Sequence, residues 1–214
     1  MKVSFAPGWF MRLPESLERT LEFLLAQIGS SWDVDETTKP DRLWSSPLGE
    51  LVVAFGDSRK GSEAHRRLSW LTMFAARRAL PCWELYCDGR QPQEAVESVR
   101  AFLVNGYALA DLERLSKPAV PSWGGVLITD CRECDTSCAS GAAAYCVQYA
   151  ASADPIKAAC ALSGADMAFD QSPLGIKEKF RAWLIDFAVP IAYERREMTL
   201  GDQNAYRDYD PDNL

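Results

Sequence analysis

The chain has 214 residues, 48% of them hydrophobic, and its 30 acidic side chains outnumber its 23 basic ones to give a net charge of −7. A chain of this size can bury a sizeable core as one domain, or as a core domain with an N-terminal elaboration. The acidic charge argues against free binding of a polyanion such as nucleic acid, because like charges repel.

The N-terminal segment shows no recognisable secretion signal or membrane anchor. Lys2 precedes a short apolar run that Pro7 and Gly8 interrupt, which is too short for a signal peptide and far too short to span a bilayer. The seven cysteines are an odd number without regular spacing, which suits a reducing compartment. We therefore expect a cytoplasmic protein that does not contact a membrane.

Residues 1–60 are predicted to form an N-terminal extension to the core. Apolar residues recur at helical spacing over 15–27, and Gly29 ends the pattern. After a polar connection, the β-branched run over 50–55 predicts a short strand. Because one strand cannot pair alone, it would need a partner near 3–5 or at Trp44, so at most a small sheet is expected.

Two helices with well-marked ends are predicted next. The second has Pro92 in its first turn, where the missing N–H costs no hydrogen bond, and Gly106 supplies its left-handed exit. The first, over 65–80, carries alanines on one sector and arginines interleaved with aromatic rings on the other. The members of this arginine and aromatic sector are Arg66, Arg67, Trp70, Phe74, Arg77 and Arg78.

The arginine and aromatic sector allows two interpretations. Guanidinium groups pair with phosphates and rings stack on bases, which is typical of nucleic-acid binding. Alternatively, the arginines are held by internal carboxylates while their stems cover the rings. We favour the second interpretation, because Glu84, Glu94 and Glu97 lie nearby in the sequence and the chain is acidic.

The segment over 75–106 contains three linked motifs. A Leu-Pro-x-x-Glu helix end is followed by a short loop ending Arg-x-Pro and by a Glu-Ala-Val-Glu helix. The matching residues are Leu80, Pro81, Glu84, Arg90, Pro92, Glu94, Ala95, Val96, Glu97 and Arg100. In these motifs the chain resembles a helical family of immunity proteins from bacterial polymorphic toxin systems. The resemblance continues more weakly through the alanine-rich segment 139–151 and the final helix around Trp183. It implies a small cytoplasmic inhibitor that binds and blocks a toxin, without identifying the toxin.

Further helices are predicted beyond Gly106. A short one is expected near 109–115, and Asp154 and Ser172, each followed by proline, are expected to cap two more. The last helix is long and amphipathic, and Pro190 is expected to kink or interrupt it. Its core stripe consists of Ile176, Phe180, Trp183, Leu184, Phe187 and Ile191.

Three cysteines invite a metal-binding interpretation. Cys131 and Cys134 have the spacing of half a zinc knuckle, and Cys134 and Cys138 would share one helix face. A fourth ligand is missing, because Cys146 would lie about 12 Å of helix rise from Cys138 and the only histidine, His65, is distant in sequence. We expect free or oxidisable thiols and no cofactor, with zinc at the three cysteines as the alternative.

No catalytic arrangement is indicated. A Ser-His-acid or Cys-His device would need His65, which lies on the alanine side of its predicted helix and is expected to be packed or partly exposed. The pair Gly124 and Gly125 lacks the lysine and the strand-to-helix context of a phosphate-binding loop. We therefore expect a binding protein and not an enzyme.

Two acidic segments with aromatic residues are predicted to bind the partner. Many toxins that act on nucleic acid are basic, so a carboxylate-rich inhibitor can mimic the phosphate backbone and associate quickly. The alternative is that both segments are solvated loops. Their residues are Trp32, Asp33, Asp35, Glu36 and Asp41, and Asp202, Tyr206, Asp208, Tyr209 and Asp210.

Taken together, the sequence predicts a mostly α-helical bundle with a small N-terminal extension over 1–60, a helical core domain over 61–200 and an acidic tail over 201–214. The predicted function is neutralisation of a cognate toxin, which we expect to be a basic nuclease-type protein, by occlusion of its active site. No direct contact with nucleic acid is expected. The alternative is a metal- or thiol-dependent binding protein organised around residues 131–138.

Overall fold

The computed structural model describes residues 13–32, 46–106, 112, 131–170 and 177–199, with the backbone alone for 131–136. The described residues form helices joined by turns, and none of them lies in a strand. The helices are α1 (Glu15–Ala26), α2 (Pro47–Ala54), α3 (Glu63–Glu84), α4 (Gln91–Asn105), α5 (Cys131–Ser152), α6 (Pro155–Met167), α7 (Lys177–Trp183) and α8 (Val189–Glu194), with a π-helical turn (Leu184–Ala188) between the last two. The prediction of a mostly α-helical bundle is confirmed. None of the described helices is long and apolar enough to cross a membrane.

The predicted strand over 50–55 is wrong, because these residues belong to α2 and the turn that follows it. The side chain of Ser46 accepts a hydrogen bond from the Gly49 amide at 3.0 Å, and Pro47 occupies the first turn. The buried residues of this segment then follow helical spacing: Leu48, Leu51, Val52 and Phe55. Burial of this stripe outweighs the weak strand preference of two adjacent valines.

The centre of the bundle is formed by α3, α5 and α6, which pack on one another. The two-residue connection between α5 and α6 makes them an antiparallel pair, and Asp154 caps α6 by accepting from the Ile156 amide at 3.0 Å, as predicted. Their interface is made of small side chains, so the backbones approach closely. A Cβ atom built on Gly164 would lie 3.0 Å from the Cys138 carbonyl oxygen and 3.2 Å from the Ala142 nitrogen.

The central helix α3 is longer than predicted at both ends. Ser62 caps its start by accepting from the His65 amide at 3.1 Å, and the helix continues through Pro81 to Glu84. The next helix, α4, ends as predicted at Gly106, whose φ of 67° is left-handed. Helix α4 packs on both α3 and α5.

The interruption predicted at Pro190 is present as the π-helical turn just before α8. Proline has no N–H to donate to the preceding turn, and a widened turn accommodates that loss. The apolar stripe still faces the core on both sides of the turn, since Phe180, Trp183, Leu184, Phe187 and Ile191 are all buried. The helix starts predicted near 109–115 and at Ser172 lie outside the described residues, apart from Leu112, which is helical and buried.

A buried arginine ties the N-terminal residues to this core. Arg181, 2% exposed, donates two hydrogen bonds to the Asp166 carboxylate, at 2.8 and 2.7 Å. It also donates to the carbonyl oxygens of Ile28 and Ser30 at 2.5 and 2.6 Å, just beyond α1. The guanidinium carbon lies 4.5 Å from the ring centre of Trp32. One side chain therefore joins α7, α6 and the segment after α1.

Candidate functional site

The segment that contains the three linked motifs forms the connection between α3 and α4. The Trp83 indole donates to the Gly89 carbonyl oxygen at 2.8 Å, and the Gln93 side chain donates to the Glu84 carboxylate. Pro92, in the first turn of α4, is buried. These contacts close a short hairpin, so this segment has a structural role in bringing α4 back along α3.

The returning helix creates a cleft at the far end of the hairpin. The last residues of α4, over 102–106, lie opposite Arg66 and Trp70 of α3, and Glu194 and Arg195 form the third side. The cleft has a volume of about 590 Å³, which is within the range of pockets that hold small molecules or side chains. Its apolar wall includes Val104, a side chain that is 49% exposed.

The arginine and aromatic sector does not present its rings to solvent. Trp70 and Phe74 are both buried, with ring centres 5.5 Å apart. Two of the arginines lie over rings of the last helices: Arg67 is 3.8 Å from the Tyr193 ring centre and Arg78 is 5.5 Å from that of Trp183. Bases could not stack on Trp70 and Phe74, because both rings are buried.

The carboxylate that holds Arg67 is not one of the predicted ones. Arg67 pairs with Glu63 at 3.2 Å, while Glu84 accepts from a glutamine and Glu97 pairs with Arg100 at 3.2 Å. No salt bridge to Glu94 occurs within the described part of the chain. The predicted partners of Arg67 were wrong, because its pairing follows the face of the helix, on which Glu63 lies one turn before Arg67.

Arg66 differs from its neighbours, because this exposed side chain makes no ion pair or hydrogen bond with any residue that the structure describes. The other charges of the cleft are paired. Arg195 bonds Glu63 at 3.1 Å, and Glu194 bonds Arg196 at 2.5 Å. Glu63 is thus shared by two arginines, which leaves an excess of positive charge around Arg66 on a protein of net charge −7.

His65 is packed inside the bundle, as one of the two expected placements. Its Nδ1 accepts from the Gly61 amide at 3.0 Å, and its Nε2 lies 3.4 Å from the Tyr149 carbonyl oxygen, to which it donates. Burial lowers the pKa of His65, and the nearby charges of Lys60 and Arg66 lower it further. Both ring nitrogens are occupied by backbone groups, so the imidazole is not poised to act on a substrate.

The described cysteines are packed thiols. Cys138 and Cys146 share helix α5, and burial raises the pKa of Cys146 to about 12. Cys138 is half-buried, whereas the side chains of Cys131 and Cys134 lie outside the described part. The three-cysteine zinc site therefore stays a prediction. Elsewhere among the described side chains, no group of three His, Cys, Asp or Glu residues could hold a metal ion.

The predicted partner-binding segments need one correction. Trp32 is completely buried, with its indole donating to the Gln27 carbonyl oxygen at 2.9 Å. It packs under Arg181 and so cannot contact a partner. The remaining predicted residues lie outside the described ranges: Asp33, Asp35, Glu36, Asp41, Asp202, Tyr206, Asp208, Tyr209 and Asp210.

The cleft was not predicted from the sequence. The sequence shows a helix exit at Gly106 and an arginine-rich helix start, but nothing local shows that the two lie together, or that Arg66 stays unpaired among the described residues. No family model, curated protein or solved structure matches the chain.

Proposed function

We propose that this protein is an immunity protein of the bacterial cytoplasm that binds a cognate toxin and neutralises it by occluding the toxin's active site. The observation that carries the proposal is the cleft beside Arg66. It is formed by the same helix pair whose connection carries the motif residues of the resemblance. An exposed cation beside apolar side chains is suited to recognition of another protein.

The scaffold around the cleft supports a role in binding. Arg181 and His65 each engage backbone groups of distant segments, which fixes the relative positions of the helices. A surface held rigidly in this way loses little conformational entropy when a partner docks. Two further apolar side chains, Leu85 and Tyr86, are exposed at the other end of the hairpin and extend the available contact surface.

The acidic segments add a second element to the proposed mechanism. A basic toxin that cleaves nucleic acid holds a cationic groove for phosphates, and the carboxylates over 33–41 and 202–210 would occupy that groove. Opposite charges would also accelerate the encounter, with an association rate that falls as salt is added. Inhibition would then be steric and electrostatic, without chemistry on the toxin.

The test is co-expression with the toxin domain encoded beside this gene in its source genome. In a heterologous bacterial host, the full chain should restore growth and form an equimolar complex with the toxin domain. Reversal of Asp33, Asp35, Glu36 and Asp41 to lysine should slow association and flatten its salt dependence. Growth arrest that persists at full expression, without a complex, would overturn the proposal. So would a full equivalent of zinc bound to the purified protein with no toxin complex, which would favour the cysteine-centred alternative.

A further inference from the structure

We propose that the cleft between α3 and α4 binds a polypeptide segment in which one carboxylate side chain is flanked by apolar residues, with the carboxylate on Arg66. That the segment belongs to the toxin rests on the proposed function, whereas the chemistry of the cleft does not.

The carboxylate is inferred from the charge on Arg66. The neighbouring arginines already have carboxylate partners, since Arg195 and Arg67 share Glu63 and Arg196 pairs with Glu194. An arginine in a partly enclosed cleft binds most strongly to a planar anion that accepts two parallel hydrogen bonds from the guanidinium group. A carboxylate has that geometry.

A polypeptide is favoured over a nucleic acid by the opposite wall. The last carbonyl groups of α4 carry the partial negative charge of a helix C-terminus. That of Phe102 accepts from the Gly106 amide at 3.0 Å, and those that follow it lack partners within the helix. They repel a chain of phosphates and attract N–H donors. A peptide supplies both a single carboxylate and backbone N–H groups within a few ångströms of it.

The apolar neighbours are inferred from the side chains between these two walls. Phe102 and Leu103 are half-buried and Val104 is exposed, so each still has apolar surface to cover. The volume of about 590 Å³ accommodates a carboxylate side chain with an adjacent aliphatic one. Leucine on either side of glutamate satisfies these features.

The probe is a short peptide, acetyl-Leu-Glu-Leu-amide, titrated into the isotope-labelled full chain and followed by nuclear magnetic resonance. Its matched control is acetyl-Leu-Gln-Leu-amide, which keeps the shape and removes the charge. We expect saturable shifts at Arg66 and over 102–106, with binding about tenfold weaker for the glutamine peptide, as loss of one charge-assisted pair predicts.

The matched variants are Arg66→Glu and Arg77→Glu. Arg77 lies eleven residues further along the same face of α3, is exposed and has no partner among the described residues. Arg66→Glu should weaken binding of the glutamate peptide at least tenfold, whereas Arg77→Glu should leave it unchanged. Equal binding of the two peptides, no saturable shift, or insensitivity to Arg66→Glu would each overturn the proposal.

Two further results separate the remaining occupants. The first result comes from a variant of the full chain in which asparagine replaces Asp202, Asp208 and Asp210. If this variant binds the peptide tenfold more tightly, the acidic tail itself occupies the cleft and the proposal is overturned. Where a toxin complex forms, Arg66→Glu should weaken it about tenfold and Arg77→Glu should not. Peptide binding without any toxin complex would support the cleft chemistry while contradicting the proposed function.

Discussion

At the scale of single residues, we expect a substitution in the buried pair of Arg181 and Asp166 to destabilise the protein strongly. Both side chains are almost fully buried, and removal of one member of such a pair leaves a charge without compensation. We expect Asp166→Asn to lower the free energy of unfolding by about 3–5 kcal/mol. Denaturation in urea, followed by circular dichroism, measures this loss.

The matched control for this change is Asp170→Asn. Asp170 also lies near a cation, Lys177, at 3.4 Å, but it is 59% exposed. Solvent screens such a pair, so its loss should change stability by less than about 1 kcal/mol. Similar losses for the two variants would show that burial does not govern the contribution of Asp166.

His65 should make the stability of the protein depend on pH. Because its pKa is lowered in the folded state, the unfolded chain binds the proton more readily than the folded chain does. The free energy of unfolding should therefore be highest above the ordinary histidine pKa of about 6.5, fall as the pH drops below it, and level off below the folded-state pKa. Burial of the imidazole is the main cause of the lowered pKa. The Gly61 amide also donates to Nδ1 at 3.0 Å, so a second proton there would break this hydrogen bond.

The pH dependence is checked with His65→Gln, which cannot titrate. Unfolding curves between pH 7.5 and 5 should show a decline for the wild-type protein that is reduced in the variant. His65 is the only histidine in the chain. Parallel curves for the two proteins would therefore assign the decline in stability to groups other than histidine.

At the scale of helices, the close approach of α5 and α6 depends on Gly164. A methyl group there would meet backbone atoms of Cys138 and Ala142 at 3.0 and 3.2 Å, and backbone cannot swing aside as a flexible side chain can. Gly164→Ala should therefore separate the helices and destabilise the protein by about 1–3 kcal/mol, as thermal or urea unfolding would show.

Gly141→Ala provides the control on the partner helix. A Cβ atom at Gly141 would have no neighbour within 4 Å, so the change removes only the backbone freedom that glycine adds to a helix interior. It should stabilise the protein by about 0.5–1 kcal/mol. A loss of stability at Gly141 equal to that at Gly164 would rule out close packing as the cause.

Sequence reasoning located most helices well, because their ends carry local signals. Gly106 and Asp154 act through their own backbone and side chain, so their neighbours need not be known. The error over 50–55 arose where two signals competed. Strand preference is a property of single residues. The apolar stripe of α2, in contrast, stabilises the helix only because α1 and α6 pack on it and bury it.

The candidate site was less accessible to prediction, because it depends on distant pairings. Glu63 is shared with Arg195, which is 132 residues away, and only the folded chain shows that Arg66 is left without a partner in the described structure. In the same way, the acidic residues beside Trp32 predict a partner-binding side chain at the surface, but Trp32 packs against Arg181 in the core.

At the scale of the whole molecule, these contacts join the N-terminal helices to the core. Helix α1 packs on α2, α2 packs on α6, and the π-helical turn contacts α1. The hydrogen bonds from Arg181 to the carbonyl oxygens of Ile28 and Ser30 add a polar connection across more than 150 residues of sequence. The described helices should consequently unfold together, although residues 1–60 were predicted as an extension.

Native-state hydrogen exchange tests this coupling. Amides of α1 should be protected by nearly the same free energy as those of α5, because opening α1 exposes Trp32 and leaves Arg181 without two of its acceptors. In Arg181→Met, the two carbonyl groups lose their donor, so protection of α1 should fall below that of α5 in the same variant. If α1 already exchanges orders of magnitude faster than α5 in the wild-type protein, the N-terminal segment is an independent unit and the tie through Arg181 contributes little to its attachment.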